Sequence, residues 1–411
     1  MGARVVRSLA FHVGAPRPVL ALMSEFRLIV NKAIRIAYRS DIRSRFRLSH
    51  SAYASLSAEH DVYKQYIPSA FEVAMGCLKA HRRRTRRGRR ASVPYLRRLL
   101  LKAENQAYRL DRTTGQLRIP LRAREHVVMS LPLSDWHRSF LSDPSWGLGS
   151  LTLTPDRVII TVRKGAPEPH TPEVVIAVDT NEDSLDGVVA SRAEVAIVSI
   201  PFPEVRIVRA THFRRRRRLA RRKAYDRRVQ RILLDREGRR ERNRVRQRLH
   251  RVSKQLVGAA KARSAAIVLE DLKLNGAGGR SRRMNRRLSS WPRREIHRQI
   301  EYKAALAGVP VMKVNPAWTS KTCPVCGARR RDRVGKVFVC LACDWEMDRQ
   351  INAGMNILKT ALASNEALAR AVRFQPGALR HDVVIPLYDF SAQPRGARDE
   401  PSGAEYVAAV T

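Results

Sequence analysis

The sequence predicts an α/β protein whose second half is a helix-covered sheet and whose first half contains a smaller region of short strands. Two continuous apolar runs, Val174–Val178 and Ala265–Leu269, have the length of strands that are buried on both faces of a sheet. A third short run, Val309–Val314, follows a helical pattern at 291–307. Strands that alternate with helices along the chain are typical of a sheet with helices packed on its faces.

The first half combines helices with short strands. Residues 3–14 alternate apolar and polar side chains enough to predict a strand, and apolar residues at helical spacing cover 19–39 and again 61–81. Further strand-like pieces recur between residues 105 and 163. We therefore predict a β-barrel with a helical insertion, and we interpret the Pro-rich residues 164–172 as the linker to the second half.

The charge of the chain indicates a polyanionic partner. Its 411 residues carry 80 Lys and Arg against 37 Asp and Glu, a formal net charge of +43. Nucleic acid is the expected polyanion, and arginine, which dominates over lysine, suits bidentate phosphate contacts. An acidic membrane is the alternative, but no apolar run approaches the roughly 20 residues of a spanning helix. Because no export signal is visible, we predict a cytoplasmic, nucleoid-associated protein that binds nucleic acid.

The most basic region lies at 211–263, where 22 Arg and Lys accompany 4 acids. Its apolar residues have helical spacing, and Gly238 is the expected break between two helices of a hairpin. A solvated arginine-rich helix is the simpler interpretation, but the protein supplies too little counter-charge for it, so we predict contact with a nucleic-acid backbone. A second arginine block follows the helix at 61–81. The predicted nucleic-acid-binding residues are Arg214, Arg215, Arg216, Arg217, Arg218, Arg221, Arg222, Arg83, Arg84, Arg86 and Arg87.

Four cysteines have the spacing of a structural zinc site. Cys323 and Cys326 form one C-x-x-C pair, Cys340 and Cys343 form a second, and thirteen residues separate the two pairs. Four thiolates at this spacing can surround one Zn²⁺ as a zinc ribbon. Two disulfides are the alternative, but only one other cysteine, Cys77, is present, and Cys77 lies on the apolar side of a predicted helix.

Acidic residues follow two of the predicted buried strands. Asp179 ends the run at 174–178, Glu270 ends the run at 265–269, and a third acidic cluster that includes Asp348 follows the last cysteine. Carboxylates that converge at strand ends can bind Mg²⁺, and such ions can activate water for phosphodiester hydrolysis. Each acid alone is more commonly a turn or cap residue. Their order between basic helices and the cysteines favours a catalytic Mg²⁺ site.

These stretches together resemble the TnpB (OrfB-type) proteins of bacterial and archaeal insertion sequences, relatives of the compact type V CRISPR effectors. The matching segments, VVIAVDTNEDSLDGVV, AIVLEDLKLNG, RRLSSWPRREIHRQIEYKAALAGVPVMKVNPAWTSKTCPVCG and DRQINAGMNIL, cover most of 174–358. The resemblance implies an RNase H-like (RuvC-type) nuclease that binds a guide RNA from the end of the mobile element and cleaves double-stranded target DNA. It further implies that Asp179 and Glu270 are catalytic metal ligands and that the four cysteines bind zinc.

The domain division that follows has five parts. The resemblance implies a wedge-like barrel, an inserted recognition domain and a nuclease domain that contains the hairpin 211–263 and surrounds the zinc ribbon. The composition of the last residues predicts a largely disordered tail. The barrel comprises 1–18 with 91–163, and the recognition domain is 19–90. The nuclease domain comprises 173–322 with 344–375, the zinc ribbon is 323–343 and the tail is 376–411.

The third metal ligand departs from the pattern of the family. Related proteins commonly have D-R-D-x-N-A where this chain has Asp348-Arg349-Gln350-Ile351-Asn352-Ala353, and the second Asp is the ligand. A neutral amide offers an oxygen but no charge. Either Asp348 replaces the missing acid, or the protein binds DNA under RNA guidance without cutting it. A zinc-ribbon protein that binds nucleic acid without a guide is a third possibility, although it leaves Asp179 and Glu270 without a role.

Overall fold

The computed structural model describes residues 4–88, 91–272, 281, 284–285, 291–329 and 335–385. The described chain forms two compact units, which divide between Gly165 and Ala166. No helix within these described ranges is long and apolar enough to cross a membrane. The finer domain division given above stays a prediction.

Helices make up much of the first unit. They are α1 (Arg17–Arg39), α2 (Arg45–Glu59), α3 (Tyr66–Thr85) and α4 (Asp135–Leu141). The helix predicted at 19–39 is confirmed, whereas the one predicted at 61–81 begins later, at Tyr66. The sequence prediction missed α2 because that helix buries only Leu48, Ala52 and Leu56, a stripe too narrow to give a clear periodic signal.

The strands of the first unit form two separate antiparallel sheets where we had predicted one closed barrel. One sheet has the order β1-β7-β6-β2 and the other β3-β4-β5. Closure would require long edge strands, yet β2 has three residues and β3 has two. The barrel prediction is therefore wrong for the described residues. The strands are β1 (Arg4–His12), β2 (Leu101–Ala103), β3 (Arg109–Leu110), β4 (Gln116–Arg122), β5 (Glu125–Ser130), β6 (Gly147–Thr154) and β7 (Arg157–Gly165).

A six-stranded mixed sheet forms the centre of the second unit. Its order is β12-β11-β8-β9-β10-β15, where β15 is Leu379–Ile385, with β8, β11 and β12 parallel and the β8–β9 and β9–β10 pairs antiparallel. Separate apolar cores lie on its two faces, so the predicted α/β fold with a buried sheet is confirmed. The first strands are β8 (Val174–Thr180), β9 (Ser184–Ala190), β10 (Val195–Pro201), β11 (Ala265–Glu270) and β12 (Val311–Val314).

The two faces of this sheet are covered by different helices. On one face pack α5 (Glu204–Arg222), α6 (Arg227–Ala262) and α7 (Arg293–Ala307). The other face is covered by α8 (Arg349–Ser364) and the short α9 (Glu366–Ala371). The hairpin β13 (Val337–Val339) and β14 (Glu346–Asp348) leads directly into α8.

The basic helical hairpin turns at a different point from the one we predicted. Gly238 lies inside α6, and the break between α5 and α6 falls at residues 223–226. There Asp226 caps α6, because its Oδ1 accepts a hydrogen bond of 2.9 Å from the backbone N–H of Val229. A single glycine costs a long helix only about 1 kcal/mol, which this packed helix tolerates.

The last strand corrects the predicted tail. Leu379–Ile385 form β15, which pairs in parallel with β10, although we had assigned disorder from residue 376 onward. An unpaired sheet edge attracts an additional strand, and the segment carries the β-branched residues Val383 and Val384. The rest of the predicted tail, 386–411, lies outside the described residues.

Two glycines allow α8 to lie directly on the sheet. A Cβ on Gly354 would be 2.5 Å from the Cα of Gly187, and a Cβ on Gly187 would be 2.0 Å from the carbonyl oxygen of Ala177. Side-chain carbon atoms do not approach other atoms so closely, so both positions require glycine. This contact fixes the height of α8 above β8 and β9.

Replacing Gly354 by alanine is expected to destabilise the protein by about 1–3 kcal/mol, because the methyl group forces α8 away from the sheet. Gly258, in the exposed face of α6, is the matched control, since nothing lies within 4 Å of a Cβ at that site. Gly258→Ala should be neutral or stabilising by about 0.5–1 kcal/mol. Urea unfolding of both variants measures the difference, and equal midpoints would contradict the close-packing interpretation.

Candidate metal centres

The four predicted cysteines converge on one point. The Sγ atoms of Cys323, Cys326, Cys340 and Cys343 all lie within 4.8 Å of one another. The Sγ–Sγ distances are 3.6 Å for Cys323–Cys343 and 3.5 Å for Cys326–Cys340. A disulfide requires about 2.05 Å, whereas thiolates about 2.3 Å from a central zinc lie roughly this far apart. The donor set fits a tetrahedral Zn²⁺ and does not fit the disulfide alternative.

Backbone hydrogen bonds shape each cysteine pair. The N–H of Gly327, at φ +79°, donates to the carbonyl of Cys323 at 3.0 Å. In the second pair the N–H of Cys340 donates to the carbonyl of Trp345 at 2.8 Å. Burial raises the pKa of the Cys340 thiol, but N–H groups of Ala342 and Cys343 and the Cys326 thiol lower it to a net value of about 7. Cys340 is therefore prepared to bind metal as a thiolate.

Cys340→Ser is expected to remove zinc from the purified chain and to lower its melting temperature, because the metal stabilises the folded cysteine pairs. Cys77, on α3 and outside the cluster, provides the matched control. Metal analysis should find about one zinc per chain in the unchanged protein and in Cys77→Ser. Stoichiometric zinc in Cys340→Ser, or none in the unchanged protein, would contradict a four-cysteine site.

Asp179 and Glu270 meet at the ends of neighbouring parallel strands. In the β8–β11 register Val268 is opposite Ala177, so Glu270 falls beside Asp179 two residues later. Their carboxyl groups share a hydrogen bond, which requires a proton between them. Burial, followed by the charges of Glu270 and Asp186, raises the pKa of Asp179 to about 8. The structure thus places these two predicted acids beside each other, and their role as metal ligands stays a prediction.

Glu270 has a second buried hydrogen bond. The side chain is 5% exposed, and its Oε1 accepts from the Oγ1 of Thr319 at 2.5 Å. Thr319 is 6% exposed and lies between β12 and the first cysteine pair. The Glu270 carboxylate is thus held by a proton shared with Asp179 and by a threonine hydroxyl.

Asp186 is an acid that the sequence prediction missed. It is directly opposite Asp179 in the β8–β9 pair, and opposite residues of antiparallel strands point to the same side of the sheet. Asp186 is buried and accepts hydrogen bonds from Ser199 Oγ at 2.6 Å, from Asn181 Nδ2 at 3.1 Å and from Ser184 Oγ. The sequence feature that could have identified Asp186 is the short turn at 181–183. This turn sets the register of the β8–β9 hairpin and so places the two aspartates opposite each other.

Asp348 does not join this pair in the structure. It is exposed at the N-terminus of α8, where its Oδ1 accepts from the backbone N–H groups of Gln350 at 2.7 Å and Ile351 at 3.4 Å. The carboxylates whose charges raise the pKa of Asp179 are those of Glu270 and Asp186. Within the described ranges, the cysteines alone bring three or more candidate ligand atoms together.

Gln350 lies on the sheet-facing side of α8. It is one helical turn before Gly354, and residues four apart share a face. Gly354 contacts Gly187, the neighbour of Asp186 in β9. The helix therefore directs position 350 toward the strand ends that carry Asp179 and Asp186, while Asp348 caps the helix.

The predicted arginine contacts are mostly on the surface. Arg216 is half-buried and forms an ion pair with Glu241 across the α5–α6 hairpin, and the exposed Arg215 pairs with Glu237 at 3.8 Å. Arg214, Arg217, Arg218, Arg221 and Arg222 line one groove on the hairpin. The exposed members of the predicted set are Arg214, Arg215, Arg217, Arg218, Arg221, Arg222, Arg83, Arg84, Arg86 and Arg87.

Two family models match parts of the chain. The Cas12f1-like TNB domain matches residues 294–357, which include the four cysteines and the start of α8. The uncharacterized protein MJ0013 family matches residues 22–120 in the first unit. The two matches therefore fall in different units of the structure.

Solved structures of Cas12 proteins share the fold. Cas12f1, in its complex with sgRNA and target DNA, aligns with a TM-score of 0.52 at 13% identity over 82% of this chain and 81% of its own. CasPhi-2 (Cas12j) bound to crRNA aligns with a TM-score of 0.53 at 12% identity over 87% and 98%. At such low identity the likeness concerns the fold alone, a mixed α/β fold similar to that of these proteins.

Sequence relatives are closer. A TnpB-like protein of Methanocaldococcus jannaschii is 26% identical over 251 residues, which are 59% of this chain and 90% of the relative. A second TnpB-like protein of that organism is 31% identical over 157 residues, 38% of this chain and 69% of the relative. The CRISPR-associated endodeoxyribonuclease Cas12f1 of Sulfoacidibacillus thermotolerans is 35% identical over 112 residues, 26% and 25% of the two chains. The chain belongs to the TnpB-like protein family and is related to the compact type V effectors.

Proposed function

We propose that this protein is an RNA-guided DNA endonuclease of a mobile element. The observation that carries the proposal is the hydrogen-bonded pair of the half-buried Asp179 and the buried Glu270 at the ends of two parallel strands. Two further observations support the proposal. Relatives of the chain are named endodeoxyribonucleases, and the chain shares its fold with a protein that was solved together with guide RNA and target DNA. We assign 173–322 with 344–375 to an RNase H-like (RuvC-type) domain and 323–343 to a zinc ribbon.

The acid pair fits a divalent cation such as Mg²⁺. The two adjacent carboxyl groups present oxygen donors to one point, and a cation can take the place of a proton between them. Asp179 and Glu270 would hold the metal, with the charge of Asp186 behind them. When bound, the metal supplies an activated water and stabilises the leaving oxygen of the phosphodiester. Until then the shared proton keeps the two carboxylates together without repulsion.

The arginines of α5 and those after α3 would bind the phosphates of RNA and DNA. They are exposed, and five of them line one groove on the helical hairpin. We assign guide-scaffold binding and recognition of the target-adjacent motif to the first unit, within 1–18 with 91–163 and 19–90. Base pairing between guide and target would supply the rest of the sequence specificity.

The test is to purify the chain with RNA transcribed from the end of its own element and to add matching double-stranded DNA with Mg²⁺. Cleavage that requires the matching guide supports the proposal. Binding that survives ribonuclease treatment and ignores target sequence would instead indicate a zinc-ribbon protein that binds nucleic acid without a guide.

A second candidate function is RNA-guided DNA binding without cleavage, as in a repressor of the element. Gln350 favours it, because an amide stands where related proteins have the third acid. The capping role of Asp348 also favours it, since that carboxylate is bonded to its own helix. Guide-dependent binding of target DNA with no product at any Mg²⁺ concentration would support this candidate over the first.

A further inference from the structure

The segment between β12 and the first cysteine pair forms a rigid turn. The carbonyl of Trp318 accepts from the N–H of Lys321 at 2.9 Å, and from the N–H and hydroxyl of Thr322, both at 3.0 Å. Trp318 itself has φ +69°, in the left-handed region that bulky residues rarely adopt. Backbone strain of about 1–3 kcal/mol persists only where surrounding bonds hold it, and here three hydrogen bonds to the Trp318 carbonyl hold the turn.

Helix α8 anchors the same turn through two buried asparagines. The Nδ2 of Asn356 donates to the carbonyl of Thr319 at 2.9 Å and to that of Thr322 at 2.8 Å. The Nδ2 of Asn352 donates to the carbonyl of Thr322 at 3.0 Å. Cys323 follows immediately, so the zinc site and α8 together fix the backbone of Thr319.

The hydroxyl of Thr319 has one proton and two possible acceptors. Glu270 Oε1 lies at 2.5 Å and the carbonyl of Pro316 at 3.2 Å. Bonds to carboxylates are shorter and about twice as strong as those between neutral groups, so the proton belongs to the Glu270 bond. A rigid turn thus ends in a donor that contacts one carboxylate oxygen of Glu270.

We propose that Thr319 is a positioning residue for Glu270, an inference that rests on the proposed function of the acid pair. Its hydroxyl fixes the rotation of the carboxylate and so determines which oxygen is offered to a metal beside Asp179. The turn transmits the position of the zinc site and of α8 to the acid pair. A small displacement of a metal-binding carboxylate weakens both metal binding and the reaction.

The experiment compares three variants of the full chain with its RNA: Thr319→Val, Thr319→Ser and Thr322→Val. Valine keeps the shape of threonine and removes the hydroxyl, whereas serine keeps it. Thr322→Val removes a hydroxyl from the same turn that is bonded to Trp318, not to Glu270. Each variant is measured for Mn²⁺ affinity by electron paramagnetic resonance, for DNA cleavage and for melting temperature, with Asp179→Asn as the reference for background Mn²⁺.

Thr319→Val should weaken Mn²⁺ binding and slow cleavage by about 10-fold to 100-fold, the loss expected for a hydrogen bond to a charged group. Thr319→Ser should stay within about threefold of the unchanged protein, and Thr322→Val, which removes one of the three bonds to the Trp318 carbonyl, should lose clearly less than Thr319→Val. If Thr319→Val equals Thr322→Val in both metal affinity and cleavage, the positioning role of Thr319 is wrong, while the proposed function is not affected. If the unchanged protein binds no more Mn²⁺ than Asp179→Asn, the proposed function fails and this inference with it.

Discussion

Asp179→Asn is expected to lower guide-dependent DNA cleavage by about 10³-fold or more while it stabilises the metal-free protein. The loss follows because the charge that a bound metal stabilises in the transition state is worth several kcal/mol, and the variant lacks an anionic ligand. Binding of guide RNA and target DNA should be unchanged, since the predicted phosphate contacts lie on other residues. Glu270→Gln should lose cleavage in the same way.

The gain in stability depends on pH in a defined direction. The pKa of Asp179 rises from its ordinary 3.8 to about 8 in the fold, because of burial and the neighbouring acids. Between those values the folded chain keeps a proton that the unfolded chain releases, so stability falls as the pH rises from about 4 to about 8. Asparagine is neutral throughout and can donate to Glu270 as the protonated acid does, so its advantage should grow over this window.

Thermal unfolding without divalent metal, at pH 5 and pH 8, measures this difference. Asp235→Asn is the matched control, because it makes the same chemical change at an exposed position of α6. It should alter neither cleavage nor the pH dependence of stability. An Asp179→Asn protein that cuts DNA normally, or whose melting temperature falls with pH like that of the unchanged protein, would contradict the role of the pair.

The parts of the site that could be predicted from the sequence are those that depend on residues close together in the chain or on the pattern of a single strand. Two C-x-x-C pairs predict a four-cysteine cluster that could bind zinc because each pair is local. Asp179 and Glu270 were found because an acid that ends a buried strand is placed at a sheet edge whatever the order of the strands. The position of Asp186 could not be predicted by such a rule. It follows only from the register of the β8–β9 hairpin, and that register requires the length of the turn to be known first.

The errors have a common physical cause, which is that tertiary packing outweighs local signals. Gly238 has a low helix propensity, yet α6 continues through it because the neighbouring Glu237 is buried against His212 of α5 and the helix is packed again from Val245 onward. The segment 379–385 has a loose composition, yet it becomes a strand because β10 offers an open edge. The contact of Thr319 with Glu270 joins residues 49 apart, and no pattern in either segment indicates it.

Gln350→Asp is expected to raise DNA cleavage by about 10-fold or more, or to create it if the unchanged protein does not cut. The substitution adds a carboxylate in the first turn of α8, on the face that Gly354 holds against Gly187. Divalent cations bind carboxylates far better than amides, and a further charge near Asp179, Glu270 and Asp186 increases the affinity of the site. The same charge repels the pair when no metal is present, so the melting temperature should fall in chelator and recover with Mg²⁺.

The matched control is Gln350→Asn, which has the size of aspartate but no charge, so any difference between the two variants is electrostatic. Asp348→Asn tests the competing assignment of the third ligand. Because the amide oxygen of asparagine can still cap α8, Asp348→Asn loses only a negative charge at the helix N-terminus, so it should cost about 0.3–1 kcal/mol of stability and leave cleavage nearly intact. If instead Asp348→Asn abolishes cleavage and Gln350→Asp matches Gln350→Asn, the cap must open so that Asp348 can reach the acid pair. The helix start would then be a moving part of the site, because Asp348 is exposed at the N-terminus of α8 and does not join Asp179 and Glu270 in the structure.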